Sequence, residues 1–401
     1  MGTGLAAVEV GELARTPTCI LFYQILCFNL LVLLIMDERV DSHSTDPKDA
    51  YLRFRELLQK VGSGQHTKED LTRTEAAVAT RMMLRQEATP AQIGAFMISH
   101  RIKRPTAIEL AGMLDAYDEL GPKFAQETVL EKPIWVLGIP YDGRSRTASV
   151  TPITALILAT SGIPVVMHGG DCMPTKYGVP TIELWQGLGI DFSQLYFDRI
   201  GEILSKTGLG FVYLPQHFPL AQDLVPYRDQ IGKRPPAATL ELIWSPCLGR
   251  IHQVAGYVHP PTEERFRDTF GLRGITDYTL VKGLEGSCDL PRDRTAIIVI
   301  SNPNSPEGFE YLKLHPRDYG FAGGEVPLES KAELLSQLES VLHGIPSELM
   351  QAAIWNGGFY LWRAGICDDL ETGLKKAEGL LKSGEVDRKR SEIIEWVIGN
   401  R

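Results

Sequence analysis

Residues 87–112 read EATPAQIGAFMISHRIKRPTAIELAG, and this stretch holds two helix starts. Thr89 and Thr106 are each followed three residues later by an amide or acid, Gln92 and Glu109. At that spacing hydroxyl and side-chain oxygen each satisfy an orphan backbone N–H of the other residue. Pro90 sits at the first helical position, where its missing N–H costs nothing. Ile93, Phe96 and Met97, then Leu110 and Leu114, follow at helical spacing. Toward the N-terminus, Thr72 with Glu75 repeats the cap ahead of Val78 and Met82. Three capped amphipathic helices in a row predict a packed helical bundle with no chemistry of its own.

After Pro133 the pattern changes. Apolar runs at Ile134–Leu137, Val165–Met167, Phe211–Leu214, Tyr278–Val281 and Ala296–Ile300 alternate with longer helical stretches. Short buried runs separated by helices predict a largely parallel sheet. Ligands in such sheets sit at the carboxyl ends of the strands, so the loops after these runs are the ones that matter.

The chain has 401 residues, 44% of them hydrophobic and 23% charged, enough for two packed domains. With 41 Lys and Arg against 50 Asp and Glu the net charge is -9, so any nucleic-acid contact needs a local basic patch. The six cysteines form no CxxC pair and no metal-ligand spacing, which predicts free thiols in a reducing compartment. Residues 19–35 form an apolar run at the short limit for crossing a bilayer. Either it is a signal anchor, or translation starts at Met36 and the protein is cytosolic. The expected organisation is an apolar extension (1–35), a helical domain (36–125) and an α/β domain (126–401). Membrane attachment follows only if residues 19–35 are retained.

Four loops carry candidate chemistry. The first, Gly138 to Thr147, joins a strand to a helix start assigned to Thr151 as cap, with Pro152 next. Backbone N–H groups there, with Arg144 and Arg146, suit a phosphate. The second holds His168 and Gly169, followed by Lys176. A lone His ending a buried strand is most often a hydrogen-bonded structural residue. The third carries Arg234, a fork that suits carboxylate or phosphate, or else a plain surface arginine. The fourth runs from Lys282 to Asp289, with Arg292 and Arg294 beyond it.

The quoted stretch, with cap, Gln-Ile-Gly-Ala-Phe and Glu-Leu-Ala-Gly in order, resembles the helical domain of anthranilate phosphoribosyltransferases and nucleoside phosphorylases. Residues 352–365 resemble the last helices of the same family. The resemblance implies a small N-terminal helical domain plus a large α/β domain with a mostly parallel sheet. It also implies a homodimer formed through the helical domain and Mg²⁺ as cofactor. Gly138, Asp142 and Gly143 match the Gly-Thr-Gly-Gly-Asp-Gly loop that holds the diphosphate of phosphoribosyl diphosphate. Ala148 and Val150 stand where the family uses Asn and Ser. His168 and Gly169 match part of the Lys-His-Gly-Asn-Arg segment near the anthranilate, and Arg234 matches the arginine that holds its carboxylate.

Where the family has paired acids for magnesium, only Asp289 remains, between Cys288 and Leu290. The loops Asp-Gly-Arg and Lys-Gly-x-Glu-Gly are similar to a divergent branch, the YbiB type, associated with nucleic-acid binding. The expected site is therefore Gly138, Asp142, Gly143, Arg144, Arg146, Thr147, His168, Gly169, Lys176, Arg234 and Lys282. Its expected ligand is a phosphate-bearing small molecule, or nucleic acid. A nucleic-acid or polyphosphate binder would need Arg144, Arg146, Lys282, Arg292 and Arg294 to cluster, ideally across a dimer.

Overall fold

Each of the three predicted caps closes in both directions, and the helices they start are α2 (Arg73–Leu84), α3 (Pro90–Lys103) and α4 (Ala107–Leu120), preceded by α1 (Pro47–Gly62). The computed structural model describes residues 47–64, 66–125 and 132–400. The apolar run 19–35, the Met36 start, Cys19 and Cys27 lie outside the described residues. Met82, Ile93, Phe96, Met97, Leu110 and Leu114 are all buried, and Phe54 meets Phe96 with ring centroids 5.4 Å apart. Each such side chain contributes about 1.5–3 kcal/mol by leaving water.

One carboxylate ties the bundle together. Glu109 is fully buried and accepts from the backbone N–H groups of Thr106 (2.7 Å) and Leu71 (2.9 Å) and from the Lys103 ammonium (2.8 Å). Burial pushes its carboxyl up, but His100 and Lys103 outweigh that and bring it down to about 2.

The sheet has seven strands: β1 (Ile134–Gly138), β2 (Val165–Gly169), β3 (Leu209–Tyr213), β4 (Ile251–Gly256), β5 (Tyr278–Val281), β6 (Ala296–Ser301) and β7 (Phe309–Leu314). Their order is β3-β2-β1-β4-β5-β6-β7; the first five run parallel, and β6 pairs antiparallel with β5 on one side and β7 on the other. β1 and β2 are buried along their whole length, as continuous apolar runs in a covered parallel sheet must be. Helix α5 (Thr151–Thr160), buried at all but its last residue, packs against two later helices, Glu348–Arg363 and Glu385–Gly399.

Two strands differ from the sequence reading. β4 carries His252 and Gln253 inside the protein, and β7 is a half-exposed edge of alternating charge and apolar character. The third strand runs from Leu209, and Leu214 opens a short helix instead of ending the strand. Cys172, Cys247, Cys288 and Cys367 are free thiols. Among the described residues no helix is long and apolar enough to cross a membrane.

Candidate functional site

β1 pairs with β2 on one side and β4 on the other, so successive connections leave in opposite directions and a crevice opens between them at the strands' carboxyl ends. A cleft of about 920 Å³ lies there. Pro140 and Arg146 come from the loop after β1, Tyr257 to Thr262 from the loop after β4, and Glu285 and Gly286 from the loop after β5. Arg234 to Leu242 forms another wall, and the end of α3 contributes Arg101 and Arg104.

The wall is strongly basic. Arg101, Arg104, Arg146, Lys176, Arg234 and Arg265 face a single acid, Glu285, among the described lining residues. Arg104 follows α3 with φ of 66°, uncommon for a side chain other than glycine, and Pro105 next to it disfavours continued helix. Burial and the neighbouring Arg104 lower the pKa of Arg265, with Glu264 acting in the opposite sense.

The loop after β1 already holds anions of its own. Glu285 accepts from the consecutive N–H groups of Ser145 (3.2 Å), Arg146 (3.1 Å) and Thr147 (3.0 Å), from the Thr147 hydroxyl (2.8 Å) and from Lys176 (2.9 Å). Burial raises its carboxyl, and Lys176, Thr147 and the Ser145 N–H bring it down to about 2. Asp289, 1% exposed, accepts from Arg144, the Val150 N–H (3.1 Å), the Ser149 hydroxyl (3.4 Å) and the Thr151 hydroxyl (2.8 Å). It therefore sits at the start of α5, where the helix favours an anion. The cap residue there is Val150, without a side-chain bond, while Thr151 lies inside the helix and turns its hydroxyl to Asp289. Loop 288–291 is pinned from behind by Tyr360 on Cys288 O (2.6 Å) and Asn356 on the Leu290 N–H (2.7 Å).

These residues do not fit Mg²⁺. A magnesium site needs free carboxylate oxygen, and Asp289 has both oxygens engaged, with buried Cys288 and Leu290 on either side. Among the described residues no group of three metal-ligating side chains converges.

Of the predicted set, Arg146, Lys176 and Arg234 line the cleft. Arg144 does not: it is buried on Asp289 and Thr147. Gly138 and Gly143 are needed for close packing, since a Cβ would stand 1.9 Å from Leu242 O and 2.1 Å from Val179 O, and Gly143 has φ of 65°. Asp142, fully buried, is shared by Arg228 (3.1 Å) and Arg234 (3.0 Å).

His168 is buried between the Tyr141 hydroxyl at Nδ1 (2.6 Å) and Trp244 O at Nε2 (3.0 Å), so Nε2 carries the proton. Burial lowers its pKa to about 4, and it stays neutral at pH 7. Gly169 ends β2 against the Phe211 ring. Within one chain the five basic residues that a nucleic-acid binder would need do not cluster. Lys282 is half-buried outside the cleft, Arg292 is committed to Glu348 and Phe321 O, and Arg294 pairs with Asp293. Arg101, Arg104 and Arg265 were missed; the signal was the run Arg101-Ile-Lys-Arg104 before Pro105, which also reads as an ordinary helix end.

A helical bundle set over the switch point of a doubly wound sheet, with an arginine-lined cleft between them, defines a two-domain α/β protein with an anion-receiving crevice. Residues 55–121 match the helical bundle domain of a glycosyl transferase family and residues 142–386 its a/b domain, and the chain belongs to that family. It is similar to the anthranilate phosphoribosyltransferase of Afipia carboxidovorans, 26% identical over 349 residues that cover 85% of this chain and 98% of the relative. An uncharacterized protein of Aquifex aeolicus is 27% identical over 317 residues, covering 77% and 93%. The solved anthranilate phosphoribosyltransferase of Saccharomyces cerevisiae, in complex with PRPP and Mg, shares the fold at a TM-score of 0.73 and 15% identity, covering 87% of this chain and 98% of that one.

Proposed function

We propose that this phosphoribosyltransferase-like protein holds a phosphate-bearing small molecule in its cleft and does not run Mg²⁺-dependent transfer to anthranilate. The observation that carries this is a surplus of cations: among the described lining residues six are basic and one acidic, and with Lys176 held by Glu285 and Arg234 by Asp142, Arg101, Arg104, Arg146 and Arg265 still face the cleft. Arginine forks suit phosphate oxygens bidentately. A volume of about 920 Å³ falls in the range of small-ligand sites, roughly 300–1,000 Å³. The net charge of -9 opposes unspecific attraction of a long polyanion. Against the family reaction stand the committed oxygens of Asp289 and the apolar Ala148 and Val150. Cytosolic location and a homodimer formed through the helical domain belong to the same proposal.

The test is calorimetric titration of wild type and of the Arg101→Ala/Arg104→Ala/Arg265→Ala variant with inorganic pyrophosphate, a sugar phosphate and a single-stranded oligonucleotide. Wild type is expected to bind the small phosphates, with at least tenfold loss in the variant at unchanged melting temperature. Equal affinity in the two proteins sinks the reading. Preferential binding of the oligonucleotide, with the salt slope falling by roughly one unit per arginine removed, replaces it with nucleic-acid binding. Anthranilate turnover at an ordinary rate of roughly 1–10³ s⁻¹ also sinks it.

A further inference from the structure

We propose that Glu285 is an internal anion that keeps phosphate out of the loop at residues 145–147, and so decides which part of the cleft a phosphate group can enter. Three successive backbone N–H groups, a hydroxyl and an ammonium converge on its carboxylate, with bonds of 2.8 to 3.2 Å. Successive N–H groups aimed at one point form a concavity suited to an anion of any kind. The occupant comes from about 140 residues further along the chain and is only 4% exposed, although it stands in the wall of an open cleft. Its backbone is left-handed, with φ of 54° and ψ of 22°, an uncommon conformation for a glutamate.

The seat holds its shape by contacts other than Glu285. Gly178 N–H bonds Asp142 O (3.0 Å), Val179 N–H bonds Arg144 O (2.9 Å), Ala148 N–H bonds Val326 O (2.8 Å) and Leu328 N–H bonds Arg146 O (2.9 Å). The Lys176 ammonium is also held by Gly143 O (2.6 Å). Removing the carboxylate therefore leaves a rigid set of donors pointing at an empty place. The Arg146 guanidinium, 3.7 Å from that carboxylate and 78% exposed, stands ready to join a phosphate bound there. While Glu285 occupies the loop, like-charge repulsion and the lack of free donors turn phosphate away, toward Arg101, Arg104 and Arg265.

The inference rests on the cleft reading only for the wild-type ligand, and the experiment separates the two. Inorganic pyrophosphate is titrated into wild type, Glu285→Ala and Glu285→Gly, the last relieving the left-handed backbone in case the alanine variant folds poorly. Affinity is read by calorimetry, and the amide resonances of Ser145, Arg146 and Thr147 by ¹⁵N NMR. Both variants are expected to bind at least tenfold more tightly than wild type, with shifts of those three amides that wild type does not show. Unchanged or weaker affinity in a folded variant overturns the proposal, as do pyrophosphate-induced shifts of the same amides in wild type. A wild type that binds no phosphate, beside a variant that does, keeps Glu285 as the excluding group and removes the proposed function.

Discussion

Glu109 and Glu285 are the same device in two places. Each carboxylate is almost fully shielded, each accepts from backbone N–H groups and a lysine, and each is brought down to about 2. Their surroundings differ. The Lys103 side chain beside Glu109 is 3% exposed, whereas Lys176 and Arg146 beside Glu285 are 19% and 78% exposed. Glu109 thus compensates a charge that cannot reach water, while Glu285 fills a seat whose cations can. The same bonds stabilise the fold in one region and govern access to a cleft in the other.

The largest expected effect tests that difference directly. Glu109→Ala leaves the buried Lys103 ammonium with Asp70 as its remaining acid and takes the acceptor from the Leu71 and Thr106 N–H groups; it should cost about 3–5 kcal/mol, the range for removing one partner of a buried pair. Glu285→Ala should cost about 1 kcal/mol or less, because water can replace the carboxylate on exposed donors. Urea denaturation of both variants measures it, and similar losses would show that the two carboxylates share one structural role. Arg144→Ala belongs with Glu109, since it leaves Asp289 buried and its Arg144 bond unmade; a loss of about 3 kcal/mol is expected by the same argument.

How the two carboxylates are encoded differs as well. Glu109 was legible because a capping box is a three-residue pattern, and Thr72, Thr89 and Thr106 each announced a helix in the right place. Buried strands were legible as apolar runs. β4 was not, because His252 is made acceptable inside by bonds to Asp277 (2.7 Å) and Thr279 (2.9 Å) and by stacking on Trp135, none of which is adjacent in sequence. That strand borders the crevice, so the sheet's switch point was invisible along with it.

In the cleft, charge and loop position pointed to Arg146 and Lys176 and resemblance to Arg234, but sequence spacing carries no information on where a side chain points. Arg144 and Arg146 read as equal partners and prove opposite in burial. Glu285 stands in the Lys-Gly-x-Glu-Gly loop, but nothing local gave its role, because the N–H groups it accepts from lie about 140 residues away.

An acid titration gives the next effect in size. An ordinary glutamate titrates near 4.3 and these two near 2, so between those values the unfolded chain binds more protons than the folded one. Both carboxylates therefore contribute stability above about pH 4.3, and that contribution is lost as pH falls toward 2. For Glu109 it is on the order of 3 kcal/mol across the window. Urea midpoints measured from pH 5 to pH 2.5 should fall steeply in wild type and less steeply in Glu109→Gln. Parallel curves would remove Glu109 from the account of acid sensitivity.

The smallest expected effect on stability is that of Arg146→Ala, and it sharpens the contrast with Arg144 two residues earlier. The Arg146 guanidinium is 78% exposed and stands 3.7 Å from Glu285, too far for a hydrogen bond. An exposed pair of this kind is worth about 0–1 kcal/mol, and the Glu285 carboxylate keeps its bonds to the three N–H groups when Arg146 is shortened. The substitution keeps the backbone N–H that donates to Glu285, so the loop has no reason to move. The urea midpoint should stay within about 0.5 kcal/mol of wild type. Pyrophosphate affinity should fall a few-fold in wild type and more in the Glu285→Ala background, where Arg146 and the vacated N–H groups act on one anion. A loss of stability comparable to that of Arg144→Ala would mean that Arg146 holds the loop in place, and the division between a structural and a ligand-facing arginine would fail.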